Sequence, residues 1–161
     1  MTESSDRRGL DGLDRAILDE LQLNSRISNV ELARRVDLSP PAIHARVRRL
    51  EQLGYIDSYV TRLDRERVGY DLLCFVSVTL QKHSVENISM FREAICQIPE
   101  VLECHHITGD HDYLLKVVIR NREDLERFLM DRLTPIPAVE RIQTSLVLSE
   151  VKSTTHLPLG L

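Results

Sequence analysis

A series of helix-start signals in the first third of the sequence constrains the fold most. Ser39-Pro40 combines an N-cap hydroxyl with proline at the first helical position, where the missing N–H of proline costs nothing. Ser28 and Glu31 have the spacing of a capping box, in which each side chain bonds the backbone amide of the other residue. Residues 13–21 repeat apolar side chains at helical spacing before these signals. The sequence therefore predicts three short helices, the last two joined by a tight turn at Asp37.

The helix that begins after Ser39 has two unlike faces. Ile43, Val47 and Leu50 recur at helical spacing and predict its buried stripe. The opposite side combines small residues with arginines, which suits a helix that lies in a DNA major groove. An ordinary helical hairpin with a solvated basic face is the alternative. On the DNA-binding interpretation, the contacting residues are Ser39, Pro41, Ala42, His44, Ala45, Arg46, Arg48 and Arg49.

The charge distribution supports a local nucleic-acid surface. The chain has a formal net charge of −4, which argues against indiscriminate binding to nucleic acid. Between Arg34 and Arg49, however, five arginines face a single acid, Asp37. Such a basic patch on an acidic protein is the footprint expected of a specific DNA-binding element. Double-stranded DNA is therefore the predicted partner.

Other features of the composition bear on location and redox state. No apolar run approaches the ~20 residues of a membrane span, and the first eight residues are polar, so we expect a cytoplasmic protein without a membrane partner. The three cysteines are odd in number and form no CxxC pair. This predicts three buried thiols in a reducing compartment.

After Gly54, a predicted helix stop, the periodicity changes. A short strand is predicted over Tyr55–Val60, followed by a polar connector. The later elements are a strand over 72–81, a helix after Ser84, strands over 101–108 and 113–120, a helix after Asn121 and a long strand over 139–151. The order β-α-β-β-α-β is that of the ferredoxin-like arrangement. It leaves one sheet face without helices, so self-association is expected.

These patterns predict an α+β protein with an N-terminal winged helix-turn-helix and a C-terminal βαββαβ ferredoxin-like domain. The predicted boundaries are a flexible N-terminus at 1–9, a DNA-binding domain at 10–63 with the helix-turn-helix at about 29–48, a linker at 64–71, and a ferredoxin-like oligomerisation domain at 72–161.

Two sets of motifs carry a resemblance to a known family. The first comprises residues 27–36, 38–40 and 46–51; the second comprises residues 103–105, 109–110, 112–116 and 150–152. Together they resemble the Lrp/AsnC family of bacterial transcription regulators, the leucine-responsive and asparagine-type, or feast/famine, proteins. The resemblance implies a DNA-binding domain, a linking strand and a C-terminal domain that dimerises and senses amino acids. It also implies dimers that associate further, often into octamers.

The turn at Gly109–Asp112 has two interpretations. As structure it is a β-turn; as function it offers amides for a ligand carboxylate and acids for a ligand ammonium. The resemblance favours an effector site made of His106, Gly109, Asp110, His111, Asp112, Ser145 and Leu146. Leucine, methionine or a similar apolar amino acid is the expected effector. Since His106, His111 and Ser145 depart from the apolar or aromatic residues usual in the family, asparagine stays open as a polar alternative.

A metal or catalytic site in Cys104, His105, His106, His111 and Asp112 is a competing interpretation. Adjacent histidines on a strand point to opposite faces, and no catalytic or dinucleotide fingerprint is present. We therefore predict no enzyme, no metal and no cofactor. The alternative to a DNA-binding regulator is a non-enzymatic amino-acid sensor or assembly scaffold with a degenerate DNA-binding domain.

Overall fold

The computed structural model describes residues 9–81 and 84–160, which form two compact units. One unit comprises the described residues up to Thr61 together with the tail that begins at Lys152. The other runs from Arg62 to Val151 and contains the predicted linker at 64–71. The predicted flexible N-terminus lies, apart from Gly9, outside the described residues.

The first unit is a three-helix structure with α1 at Gly12–Leu23, α2 at Asn29–Arg35 and α3 at Pro40–Gln52. The predicted helix starts are confirmed, because the hydroxyls of Ser28 and Ser39 accept from amides three residues later. Asp37 has φ 54°, the left-handed conformation that the tight turn requires. The helices enclose a core of Leu10, Ile17, Leu18, Leu32, Ala33, Ile43 and Leu50.

Two local predictions for this unit are wrong. Glu31 does not complete the capping box of α2, because its carboxylate instead accepts from Arg34 and Arg35. The segment Tyr55–Val60 forms no strand, since no strand is available to pair with it within the described part of this unit. The Tyr55 amide instead donates to the Leu50 carbonyl at 2.9 Å, and the Tyr55 side chain packs against the helical core.

The second unit has the predicted β-α-β-β-α-β order. Its elements are β1 at Leu72–Leu80, α4 at Val85–Cys96, β2 at Val101–His106, β3 at Tyr113–Ile119, α5 at Arg122–Arg127 continuing as a π-helix at Phe128–Leu133, and β4 at Val139–Leu146. The strands form one antiparallel sheet in the order β2-β3-β1-β4. β4 is shorter than predicted, and its last residue, Leu146, pairs with Cys74 of β1.

The two faces of this sheet differ. Cys74, Val76, Val78 and Leu80 of β1 belong to a buried core shared with α4 and the π-helix. Phe75, between them, is 38% exposed on the helix-free face, which confirms that the helices leave this face uncovered. Of the three cysteines only Cys74 is buried, so the prediction of three buried thiols is wrong for Cys96 and Cys104.

The C-terminal tail lies along α1. The Arg15 guanidinium donates to the Leu159 carbonyl at 2.9 Å, and the side chain of Gln22 exchanges two hydrogen bonds with the backbone of Leu157, at 2.7 and 3.1 Å. Leu159 also packs against the core of the first unit. The predicted sensing domain extended to the end of the chain, but these contacts group the tail with the helices.

The tail contains a matched pair of leucines. Leu159→Ala removes a side chain that packs on the core, so we expect it to lower the free energy of unfolding of the first unit by about 1–2 kcal/mol. Leu157 is 67% exposed and bonds through its backbone, so Leu157→Ala should change it by less than about 0.5 kcal/mol. Urea denaturation followed by circular dichroism measures both. Equal effects of the two substitutions would contradict the docking of Leu159.

Candidate DNA-binding and effector sites

α3 presents a narrow exposed edge. Pro41, His44, Ala45 and Arg48 are exposed, and Ala42 is half-buried. On the opposite side Ile43 and Leu50 are fully buried and Val47 packs against the same core. Ser39 caps the helix, and its hydroxyl accepts from the Ala42 amide at 3.4 Å. The faces thus divide as the sequence pattern predicts, with the small residues near the N-terminal end of the helix.

Arg46 and Arg49 of α3 are held by two acids at the start of α1. Arg46 Nη1 lies 2.7 Å from Asp11 Oδ2 and 2.8 Å from Asp14 Oδ1. Arg49 Nη2 bonds the other carboxylate oxygen of Asp14. Asp14 is completely buried in the helical core, and a guanidinium on each of its carboxylate oxygens compensates the cost of that burial.

The same acids cap α1. Asp11 accepts from the Asp14 amide at 2.7 Å, and the Asp11 amide donates to Asp14 at 3.2 Å, which completes a capping box. The bond from the Asp14 amide and then that from Arg46 lower the pKa of Asp11 below its ordinary value of 3.8. Its contribution to stability is therefore complete above that value and is lost as the pH falls through the lower folded pKa.

The arginines of α2 are also paired. Glu31 lies 2.8 Å from Arg34 and 2.9 Å from Arg35, and Arg35 lies 2.7 Å from Glu20 of α1. Hydrogen bonds from the two arginines lower the pKa of Glu31 to about 2. The basic patch predicted from the sequence is therefore largely neutralised within the unit.

Arg48 differs from the other four arginines between Arg34 and Arg49. In the described part of the chain it has no acidic partner, and its side chain lies on the exposed edge of α3. His44 lies one turn earlier on α3, and its Nδ1 is 3.4 Å from the side-chain nitrogen Nδ2 of Asn29. Among these five arginines, the positive charge available to an external partner is thus centred on Arg48.

The predicted effector turn joins β2 to β3. The Ile107 amide donates to the Asp112 carbonyl at 2.9 Å, and Gly109 has φ 120°, a conformation that favours glycine. The Asp112 carboxylate accepts from the Leu80 amide at 2.8 Å, so it fastens the turn to the end of β1. Asp110, by contrast, has no side-chain partner among the described residues.

His111 connects this turn to the neighbouring strands. Its Nδ1 lies 3.1 Å from Thr79 Oγ1 of β1, and its Nε2 lies 3.2 Å from Gln143 Oε1 of β4. Arg141 of β4 donates to the Asp110 carbonyl at 3.4 Å. Thr79, Arg141 and Gln143 were missed by the sequence reasoning. Arg141 and Gln143 were detectable, since they precede Ser145 at the two-residue spacing of one strand face.

The structure brings together only part of the predicted effector set. Ser145 pairs with Phe75 on the helix-free face, the same face as His111 and its partners. His106 instead stacks on Tyr113, with ring centroids 4.9 Å apart, on the face that carries the helices. Leu146 pairs with the buried Cys74 and shares that second face. The side chains of His106 and Leu146 therefore lie on the opposite sheet face from His111.

The competing metal interpretation receives no support from the side-chain positions. Among residues 9–81 and 84–160, no three His, Cys, Asp or Glu side chains are close enough to hold an ion. His105 lies 3.0 Å from Glu103, which pairs with Lys116 at 2.8 Å. His105 and His106 lie on opposite faces of β2, as their adjacency predicts.

Among residues 9–81 and 84–160, no helix is long and apolar enough to cross a membrane.

Comparisons with known proteins match a domain family in each part of the chain. Residues 10–57 match the winged helix-turn-helix DNA-binding family, and residues 73–157 match the Lrp/AsnC ligand binding domain family. The chain is 40% identical over 159 residues to the leucine-responsive regulatory proteins of Escherichia coli K12 and Klebsiella pneumoniae, a match that covers 98% of this chain and 97% of each relative.

Solved structures extend the agreement to the fold. A transcriptional regulator from Neisseria meningitidis, crystallised with L-methionine, is 37% identical with a TM-score of 0.91, covering 94% of this chain and 97% of that one. AsnC of E. coli is 30% identical with a TM-score of 0.85, covering 92% and 99%.

The chain belongs to the Lrp/AsnC family of transcription regulators. It is a DNA-binding transcriptional regulator that combines a helix-turn-helix with an amino-acid-binding domain. The predicted family and α+β class are confirmed.

Asp14 provides a test of how α3 is held. Asp14→Asn keeps the shape of the side chain but removes the charge that two guanidiniums share, so we expect the free energy of unfolding of the first unit to fall by about 2 kcal/mol. Asp19→Asn is the control on the same helix; Asp19 lies 3.5 Å from His156, and loss of this partly exposed pair should change stability by less than about 1 kcal/mol. Denaturant melts at pH 7 compare the variants. An Asp14→Asn protein as stable as the parent would refute the anchoring role.

Proposed function

We propose that the exposed edge of α3 enters the major groove of duplex DNA, with Arg48 as the principal cationic contact. Pro41, Ala42 and Ala45 let the helix approach the groove closely, and His44 contacts the flanking backbone. Ser39 contributes at the N-terminal end of the helix. The observation that carries the proposal is the division between Arg48, which has no acidic partner among the described residues, and Arg46 and Arg49, which Asp14 holds. In this arrangement Arg46 and Arg49 fix the helix and present only their outer N–H groups to DNA.

The DNA-binding species is, on this proposal, a homodimer that assembles further, with an octamer as the expected form. The net charge of −4 and the single unpaired arginine on α3 support a requirement for two-fold repetition of the surface. The helix-free sheet face around Phe75 is the proposed dimer contact. A two-fold axis would pair recognition helices on a pseudo-palindromic site. Analytical ultracentrifugation tests this, and a stable monomer at micromolar concentration would contradict it.

The proposed effector is an apolar amino acid, methionine or leucine, bound at the turn between β2 and β3. Arg141 is placed to meet the ligand carboxylate together with the amides of the turn, and the Asp110 carboxylate is placed to meet its ammonium. The Neisseria relative that was crystallised with L-methionine, and the leucine-responsive names of other relatives, support this class. His111 and Gln143 keep asparagine as the polar alternative.

Substitutions of Arg48 and Arg49, which are adjacent on α3, distinguish a loss of DNA contact from a loss of stability. We expect Arg48→Ala to weaken binding to the protein's own promoter fragment about ten- to a hundredfold without changing the unfolding midpoint. Arg49→Ala should lower the midpoint as well as the affinity, because it leaves the Asp14 charge less well paired. Fluorescence anisotropy and thermal melts measure the two quantities.

Two outcomes would change the assignment. If Arg48→Ala binds DNA as tightly as the parent, the exposed edge of α3 is not the contact surface. If the parent protein prefers its promoter no more than a scrambled duplex, the alternative of an amino-acid sensor or scaffold replaces the regulator.

Arg141 tests the effector site. L-Methionine or L-leucine should raise the thermal midpoint of the parent protein, since a ligand that binds only the folded state stabilises it. Arg141→Ala should abolish this shift while leaving the ligand-free midpoint unchanged, because Arg141 is exposed and has one weak contact. Arg122→Ala on α5, an exposed arginine outside the site, is the control and should retain the shift. A shift that survives in Arg141→Ala would place the ligand elsewhere.

A further inference from the structure

The second unit contains a cavity that the proposed function does not use. Its volume is about 380 Å³, within the range of small-molecule sites, which is ~300–1,000 Å³. Buried Ile119 of β3 and Phe128 of the π-helix form part of its lining. Most of the remaining lining residues are charged, and none of them belongs to the effector turn or to β4.

One wall carries an unsatisfied negative group. Glu100, just before β2, lines the cavity, and its Oε2 is buried without a hydrogen-bond partner among the described residues. A buried carboxylate oxygen is among the most unfavourable groups to leave unpaired. The cavity is therefore suited to a ligand that brings a positively charged N–H donor to this oxygen.

Other walls of the cavity carry arginines. Arg127 is already paired, with Glu123 at 3.0 Å and Asp124 at 3.2 Å. Arg120 and Arg132 also line the cavity, but neither has an acidic partner in the described part of the chain. Arg120 instead lies over the ring of Tyr70, 5.7 Å from its centroid. Two guanidiniums thus remain for an anionic group that enters the cavity.

The backbone at this cavity is unusual. Phe128, Asp131 and Arg132 come from the π-helix at Phe128–Leu133, in which the α-helical register of α5 is lost. π-Helical segments are rare, and they occur frequently at functional sites because they change which residues share a helix face. Here the segment supplies an arginine and an acid to one cavity.

We propose that this cavity binds a small zwitterion, namely a free amino acid with a polar or charged side chain. Its ammonium or guanidinium group meets Glu100, and its carboxylate meets Arg120 and Arg132. Apolar amino acids are disfavoured here because most of the residues that line the cavity are charged. The site is distinct from the proposed effector site and does not depend on it.

Isothermal titration of the full-length protein with L-arginine, L-lysine and L-glutamate tests this site. At least one probe should bind saturably, and Glu100→Gln and Arg132→Gln should each weaken that binding about tenfold or more. Arg122→Gln, an exposed arginine of α5 outside the lining, is the matched control and should bind like the parent, as should Arg141→Ala in the effector site. Because Arg132 is exposed, its substitution remains informative if Glu100→Gln fails to fold.

Three results would overturn the proposal. The first is the absence of saturable binding of all three probes at millimolar concentration. The second is binding that survives in both Glu100→Gln and Arg132→Gln. The third is binding that Arg141→Ala abolishes, which would assign the probe to the effector site. A failure of L-methionine to act at Arg141 leaves the expected result at Glu100 unchanged.

Discussion

Asp14 is a carboxylate with no access to water, placed between the first helix and the recognition helix. A buried charge of this kind is tolerated only when its partners are in place, so the position of α3 relative to α1 is set by Arg46 and Arg49. The apolar core around Ile43 and Leu50 stabilises the packing without specifying direction, because hydrophobic contacts are non-directional. The bonds to Asp14 supply that direction. The exposed edge of α3 therefore has one orientation within its unit.

Ion pairs within the first unit change how the basic patch predicted from the sequence is interpreted. Five arginines in sixteen residues suggest a strong electrostatic surface, yet four of them are neutralised by acids on α1 and α2. Among these five arginines, Arg48 alone lacks an acidic partner within the described chain, so little of their positive charge remains free. On the proposed function, affinity would then depend on repetition of the unit in an assembly, and specificity would depend on the shape and small side chains of the α3 edge.

Local sequence signals made the helices and strands predictable. Features that depend on tertiary contacts could not be predicted in this way. Serine caps and the proline after Ser39 fixed the starts of α2 and α3, because they act through neighbouring amides. The end of β4 and the absence of a strand at Tyr55–Val60 depended on partner strands, which a local pattern does not reveal. Pairing also decided the roles of charged residues. In the sequence, Asp14 shows only the spacing to Asp11 that is typical of a helix cap. Arg141 becomes part of a site only because the fold brings the Asp110 carbonyl within hydrogen-bond distance of it.

The rigidity of the first unit restricts how an effector can act. A ligand shifts an equilibrium only through its different affinities for two states. Since Asp14 fixes α3 within its unit through Arg46 and Arg49, the two states on the proposed function would differ in how subunits associate and not in the internal shape of the first unit. His111 lies on the helix-free sheet face, where it touches both β1 and β4. Because that face is also the proposed dimer contact, an amino acid bound beside His111 would act on assembly directly. The residues that sense the ligand and those that join subunits would then form one continuous surface.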